Sequence, residues 1–248
     1  MKQYKILGVR VESASIEDIL DLLDDKISQN KSACISTVNN EFIVEAQSNT
    51  KFKNILNASN LNTIDSTGVK WAIKRKYREE VSRISGSDLI YDICSRAATK
   101  GYRIFLLGSD IGVGTAASKN LIKKYKGLHI VGVNEGNYIN ESKIDQGLIN
   151  EINATNSDIV FVALGAPKQE VWISNNMSLL KPAIFIGVGG TLDYVSGKTK
   201  RAPKIMRNIG LEWLFRLFVQ PMRLKRILKA TIVFPLMVIF NKDTDKST

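Results

Sequence analysis

Asp158-Ile159-Val160-Phe161-Val162-Ala163-Leu164-Gly165-Ala166-Pro167-Lys168-Gln169-Glu170 is an apolar run stopped by a glycine and a proline, then followed by polar residues. Seven residues with almost no polar side chain read as a strand covered on both faces, because a half-exposed strand would alternate. Pro167 restrains the loop and suits the start of a helix, read over Lys168–Asn176. The same alternation runs outward in both directions. Strands are expected at Ile6–Val9, Ala33–Val38, Leu61–Ile64, Arg103–Leu107, His129–Val133 and Ala183–Val188. Helices are expected at Ser15–Gln29, Asn40–Gln47, Gly68–Arg78, Asp88–Lys100, Gly112–Tyr125 and Glu141–Asn153. Ser15 can cap the first helix, with Asp18 three residues on. Strand and helix in alternation imply right-handed crossovers and an α/β fold with a mostly parallel sheet. Ligands of such folds sit beyond the carboxyl ends of the strands, so the polar and glycine-rich residues just after strands are the candidates for chemistry.

Composition divides the chain in two. Of a net charge of +11, residues 196–248 carry +9, with 12 Lys/Arg against 3 Asp/Glu. Residues 1–195 are expected to form the catalytic core. Residues 196–248 are expected to form a basic amphipathic appendage that meets anionic lipid, nucleic acid or phosphate-bearing substrates. Its apolar run Ala230–Phe240 is 11 residues long and contains Pro235. A spanning helix needs about 20 apolar residues, so a helix lying in the membrane interface is the better match. Cys34 and Cys94 stand in apolar contexts and fit no zinc spacing; buried reduced thiols are expected. Met1–Val11 has no long apolar run, so a cytoplasmic protein without a signal peptide is expected.

Five clusters follow strands. Thr37-Val38-Asn39-Asn40-Glu41 either binds a ligand or only caps a helix. Ile64-Asp65-Ser66-Thr67-Gly68 puts a carboxylate at a strand end, where it either serves as a general base or caps the next helix. The turn Gly108-Ser109-Asp110-Ile111-Gly112-Val113-Gly114 could hold a phosphate at a helix N-terminus, but its spacing is neither G-x-G-x-x-G nor a Walker motif. In Gly165–Glu170, Gln169 both donates and accepts hydrogen bonds, while the bland alternative is a turn with solvated Lys168 and Glu170. Gly187-Val188-Gly189-Gly190-Thr191-Leu192-Asp193 allows close backbone approach by a ligand, or is simply a tight turn. His129 is the one histidine, which leaves little for a histidine-dependent triad. Asp243-Thr244-Asp245 matches a D-x-D metal pattern but lies in a charged terminus with no strand before it. No metal site is expected.

Taken together, Thr37–Glu41, Asp65–Gly68, Phe105–Gly108, Leu164–Glu170, Gly187–Gly190, Arg201-Ala202-Pro203 and Gly210–Arg216 resemble the WecG/TagA/CpsF glycosyltransferases, glycosyltransferase family 26. The resemblance runs from about Ile6 to about Leu228. One departure is Ser66, where the family commonly has glycine. The resemblance implies a Rossmann-like core that binds a UDP-sugar and needs no metal or other cofactor. The nearest member type is the N-acetylmannosaminyltransferase of wall teichoic acid synthesis. That type moves ManNAc from UDP-ManNAc to undecaprenyl-diphosphate-linked GlcNAc in a β-1,4 linkage. It also implies an appendage that contacts the membrane and completes the active site, hence a peripheral protein on the inner face of the cell membrane. Other members use donors such as UDP-ManNAcA or UDP-glucose.

An α-linked donor and a β-linked product call for one in-line displacement with one base. Asp65 is the expected base, Thr37 and Asn39 orient a sugar, and Gln169 bonds the sugar or diphosphate. Gly108, Gly165, Gly187, Gly189, Gly190 and Asp193 are expected to line the nucleotide pocket. Arg216, Arg223 and Arg226 are expected to balance the charge of the departing diphosphate. The tail's apolar residues could also drive homo-oligomer formation without a membrane. Two other classes compete. A dinucleotide-dependent oxidoreductase rests only on the glycine turns, and nucleic acid is not an expected partner because the tail interleaves its charges with large apolar residues.

Overall fold

The computed structural model describes residues 1–136, 139–141, 143–203, 206, 212–219 and 224–241. Its strands are β1 (Lys2–Ile6), β2 (Val9–Ser13), β3 (Ala33–Val38), β4 (Leu61–Ile64), β5 (Arg103–Gly108), β6 (His129–Asn134), β7 (Ile159–Ala163) and β8 (Ile184–Gly187). They form one eight-stranded sheet in the order β1-β2-β4-β3-β8-β7-β5-β6. The β1–β2 pair is antiparallel, and every other neighbouring pair is parallel. The helices are α1 (Ile16–Ser28), α2 (Asn40–Ser48), α3 (Thr50–Ala58), α4 (Thr67–Tyr77), α5 (Gly86–Lys100), α6 (Val113–Lys124), α7 (Gln146–Thr155), α8 (Lys168–Asn176) and α9 (Thr191–Val195). Beyond them lie α10 (Glu212–Val219), α11 (Leu224–Leu228), a π-helical turn over Lys229–Val233, and α12 (Phe234–Phe240).

β7 shows why the fold follows from the sequence. All five of its residues are buried. Because side chains alternate along a strand, Ile159, Phe161 and Ala163 face a core shared with α1, α5 and α6. Val160 and Val162 face another shared with α7 and α8. A third core continues that second face under β1, β2 and β3, filled by α2, α3 and α4. The expected α/β architecture with a mostly parallel sheet and flanking helices is the one observed. Ser15 caps α1 as expected: its Oγ accepts from the Asp18 N–H at 3.0 Å, and Asp18 Oδ2 accepts from the Ser15 N–H at 2.7 Å.

Three expectations are corrected. Ile6–Val9 is not a strand but the turn of a hairpin, because Leu7 and Gly8 both take positive φ. Thr50–Ala58 is a helix that the sequence reading left between elements. It buries only Phe52 and Leu56 and gains its own cap from Asn49, whose Oδ1 accepts from the Phe52 N–H. The helix expected over Glu141–Asn153 starts at Gln146, where Asp145 caps it.

The helical run 224–240 packs back on the core. Phe234 is fully buried among Phe42, Ile43, Phe52, Val69 and Ile73. On the opposite side of the same helical run, Leu224, Leu228, Ile232, Leu236, Ile239 and Phe240 are exposed. Among the described residues no helix is long and apolar enough to cross a membrane. Cys34 and Cys94 are buried and unbridged, and burial pushes their thiols up to about 11 and about 12.

Candidate active site

Strand order fixes where the site must be. β3 runs outward to β4, whereas β8 returns from the far half of the sheet to pair with β3. The chain leaves β3 into α2 on one face, with Ile43 in the core that holds Val38. It leaves β8 into α9 on the other, with Leu192 in the core that holds Ile35. The two connections diverge and open a crevice at the carboxyl edge, the position at which open parallel sheets bind ligands.

That crevice holds a cavity of about 680 Å³ lined by Thr37, Asn39, Asp65, Gly165, Gln169, Gly189, Gly190 and Arg226, among others. A second cavity of about 790 Å³ adjoins it and shares Asn39, Glu41, Asp65 and Ser87. Ile227, Ala230 and Thr231 on the tail and Trp213 on α10 close the second cavity from outside. Eight of the expected site residues, from four separate loops and the tail, therefore meet at one place.

Asp65 does not cap α4. Ser66 does, its Oγ accepting from the Val69 N–H at 3.2 Å. Asp65 Oδ1 instead accepts from the Gly86 N–H at 3.1 Å, at the start of α5. The carboxylate thus stands in the crevice, common to both cavities. Asn39 caps α2, its Oδ1 accepting from the Glu41 and Phe42 N–H groups at 2.9 and 3.2 Å, and the residue also lines both cavities. Thr37 is buried, and its Oγ1 donates to the Gly187 carbonyl at 3.4 Å, tying β3 to β8 across the crevice.

Gln169 is 2% exposed, and its Oε1 accepts from the Gly189 N–H at 2.9 Å. Its Nε2 donates to Glu170 Oε1 at 2.7 Å. Glu170 is not solvated, as the bland reading had it, but fully buried, and burial pushes its carboxyl up to about 8. Gly187 lies under the cavity. A Cβ there would collide with Gln169 Nε2 and stand 2.7 Å from Glu170 Oε1, so glycine is what admits this pair beneath the strand end.

Gly108 and Asp193 stand apart from the residues that line the crevice. Gly108 has φ +89°, and a Cβ there would press on the Ala163 backbone at 2.9 Å; its requirement is strand packing. The turn it opens leads to the N–H groups of Gly112 and Thr115 at the start of α6. Glu135 already takes them, accepting from the Gly112 N–H at 2.7 Å, the Thr115 N–H at 3.0 Å and Thr115 Oγ1 at 3.1 Å. Burial resists ionisation of Glu135, but these hydrogen bonds outweigh it and hold the carboxyl below its ordinary value. Asp193 is in the first turn of α9, where its carbonyl accepts from the Thr199 N–H.

The tail is joined to the crevice by polar contacts as well. Arg226 Nε and Nη2 donate to Glu41 Oε2 at 2.8 and 2.7 Å. Ser66 Oγ donates to Asn40 Oδ1 at 2.6 Å, and Asn40 Nδ2 donates to the Ala230 carbonyl at 2.8 Å. Ser66, the one departure from the resembled motif, is thus part of the attachment. Arg201 donates to Asp88 through Nη1 at 2.5 Å and Nη2 at 2.9 Å, and to Ser85 Oγ at 3.3 Å. Arg223 and the D-x-D pair lie outside the described residues. So does the side chain of Arg216, although α10 carries its backbone. Arg83, Ser85 and Ser87 line the second cavity and were not singled out from sequence. They sit in and just after an irregular segment between α4 and α5, where no strand end marks them.

A doubly wound α/β domain with a polar, carboxylate-bearing crevice at its switch point belongs to the class that acts on ligands held at the sheet edge. Within that class, the model of the Glycosyl transferase WecG/TagA/CpsF family matches residues 4–247. The chain belongs to this family and is a glycosyltransferase, acting between a sugar donor and an acceptor.

Proposed function

We propose that this glycosyltransferase moves N-acetylmannosamine from UDP-ManNAc to undecaprenyl-diphosphate-linked GlcNAc, with inversion to a β-1,4 linkage, in synthesis of a wall teichoic acid or related surface polymer. The observation that carries the reading is the placement of Asp65 at the junction of the two cavities. Two carboxylates are common to both cavities, Asp65 and Glu41; Glu41 is paired with Arg226, so Asp65 is taken as the one base that an in-line displacement needs. Asp65 takes the proton from the acceptor hydroxyl as that oxygen attacks the anomeric carbon, and the bond to UDP breaks. Thr37 and Asn39 orient the reacting sugars. Gln169 and the backbone of Gly165, Gly189 and Gly190 hold the donor.

The departing diphosphate gains charge that must be met in a water-poor site. Arg226 lines the first cavity and Arg83 the second; with Arg216 and Arg223 they form the proposed cationic set. Residues 196–248 serve as an appendage that closes the crevice and rests on the inner face of the membrane. The exposed apolar row from Leu224 to Phe240 supports this. Attraction to anionic lipid adds about 1 kcal/mol per basic residue near the surface.

A panel of UDP-ManNAc, UDP-ManNAcA, UDP-GlcNAc and UDP-glucose, each with a GlcNAc-diphosphate-lipid analogue, tests the donor. UDP-ManNAc should give the fastest UDP release and a disaccharide with a β anomeric signal. Preference for another donor, or an α product, would sink this assignment.

A further inference from the structure

We propose that Glu170 is a positioning residue for sugar transfer: it fixes which way the Gln169 amide faces, and through it the place of the Gly189 N–H at the donor cavity. This deepens the reading above and rests on it for the identity of the ligand.

An amide side chain is nearly symmetric in shape, and only its partners decide where oxygen and nitrogen lie. The Gly189 N–H can only donate, so the atom 2.9 Å from it must be Gln169 Oε1. That places Gln169 Nε2 against Glu170 Oε1 at 2.7 Å, and a residue that only donated there would force the flip. Glu170 supplies the acceptor from the same helix. Among the described residues its Oε2 is buried without a hydrogen-bond partner. Burying a carboxyl in this way costs stability, and a purely structural position would be better served by an apolar side chain.

The rest of the strand end agrees. Gly187 leaves room for the pair, and the Thr37 hydroxyl bonds the Gly187 carbonyl from the other side at 3.4 Å. The segment Gly187–Gly190 is therefore gripped between Thr37 and the Gln169–Glu170 pair. Gly189, Gly190, Thr37 and Gln169 all line the donor cavity, whereas Glu170 lies behind them. Glu170 acts on the ligand only through Gln169.

The test compares Glu170→Leu with Glu170→Gln. Leucine fills the space without an acceptor, leaving Gln169 Nε2 unpaired; glutamine restores an acceptor without the charge. Leucine should lower kcat/KM for the donor by about tenfold or more, the scale of one lost buried hydrogen bond. Its unfolding midpoint should stay at or above that of the native protein. Glutamine should recover most of the lost turnover. The second readout is hydrogen exchange of the Gly189 amide, which is independent of turnover: protected in the native protein and in Glu170→Gln, faster in Glu170→Leu. Native activity in the leucine variant, or equal loss in both, overturns the proposal. Should Glu170→Leu not fold, the native protein still decides: unprotected exchange at Gly189 would overturn it. Protected Gly189 in a protein that releases no UDP from any donor would instead count against the proposed reaction alone.

Discussion

Glu170 shows how one residue changes its meaning between sequence and structure. In the string Gly-Ala-Pro-Lys-Gln-Glu it reads as a charged residue beside a turn, yet helix α8 turns it into the core. The consequence appears in stability. Burial raises its carboxyl from 4.5 to about 8, so the folded chain keeps a proton that the unfolded chain loses. The associated stability is complete below about pH 4.5, falls as pH rises, and is gone above about pH 8. Glu170→Gln lacks this dependence. Urea midpoints taken from pH 5 to 8.5 should show the variant gaining on the native protein as pH rises; a constant gap would mean that the carboxyl does not titrate in this range.

At the scale of elements, the tail is where packing most changes the picture. The run Ala230–Phe240 is legible as apolar and too short to span a membrane, but its two faces differ in destination. Phe234 enters the core beside α2 and α4, while Ile232, Leu236 and Phe240 remain outside. A periodicity count marks both faces as apolar and does not say which one meets protein. Pro235 offers no N–H to the helical ladder, and the wider π-helical turn over Lys229–Val233 directly precedes it. Phe234→Ala should cost about 3–5 kcal/mol in urea unfolding, as other large-to-small core changes do. A loss below about 1 kcal/mol would show that the tail is not held by this contact.

Over the whole molecule, each strand from β3 to β8 was placed to within one residue at either end, even where Ser36, Thr37, Asn62 and Thr63 interrupt the apolar run. Ala33–Val38 and Leu61–Ile64 begin and end where expected. The hairpin was harder because the strand expected over Ile6–Val9 spans its two-residue turn, Leu7 and Gly8. The crevice was legible through its strand ends: Thr37 stands near the end of β3, Asn39, Asp65, Gln169 and Gly189 follow strands, and the switch point gathers them. Arg83, Ser85, Ser87 and the grip of Glu170 were not, because they reach the crevice through tertiary contacts that no local pattern encodes. Gly108 illustrates the converse. It is a glycine after a strand, where packing against Ala163 already requires it, and Glu135 bonds the helix start beyond it.

The account stands or falls on Asp65 as the base at the switch point. The measurement is UDP release from UDP-ManNAc, with and without a GlcNAc-diphosphate-lipid analogue, for the native chain and for Asp65→Asn, alongside UDP binding by both. The account predicts release that requires the analogue and falls by about 100-fold or more in the variant, with UDP binding changed by less than about threefold. An Asp65→Asn protein that binds UDP and turns over at the native rate would contradict it.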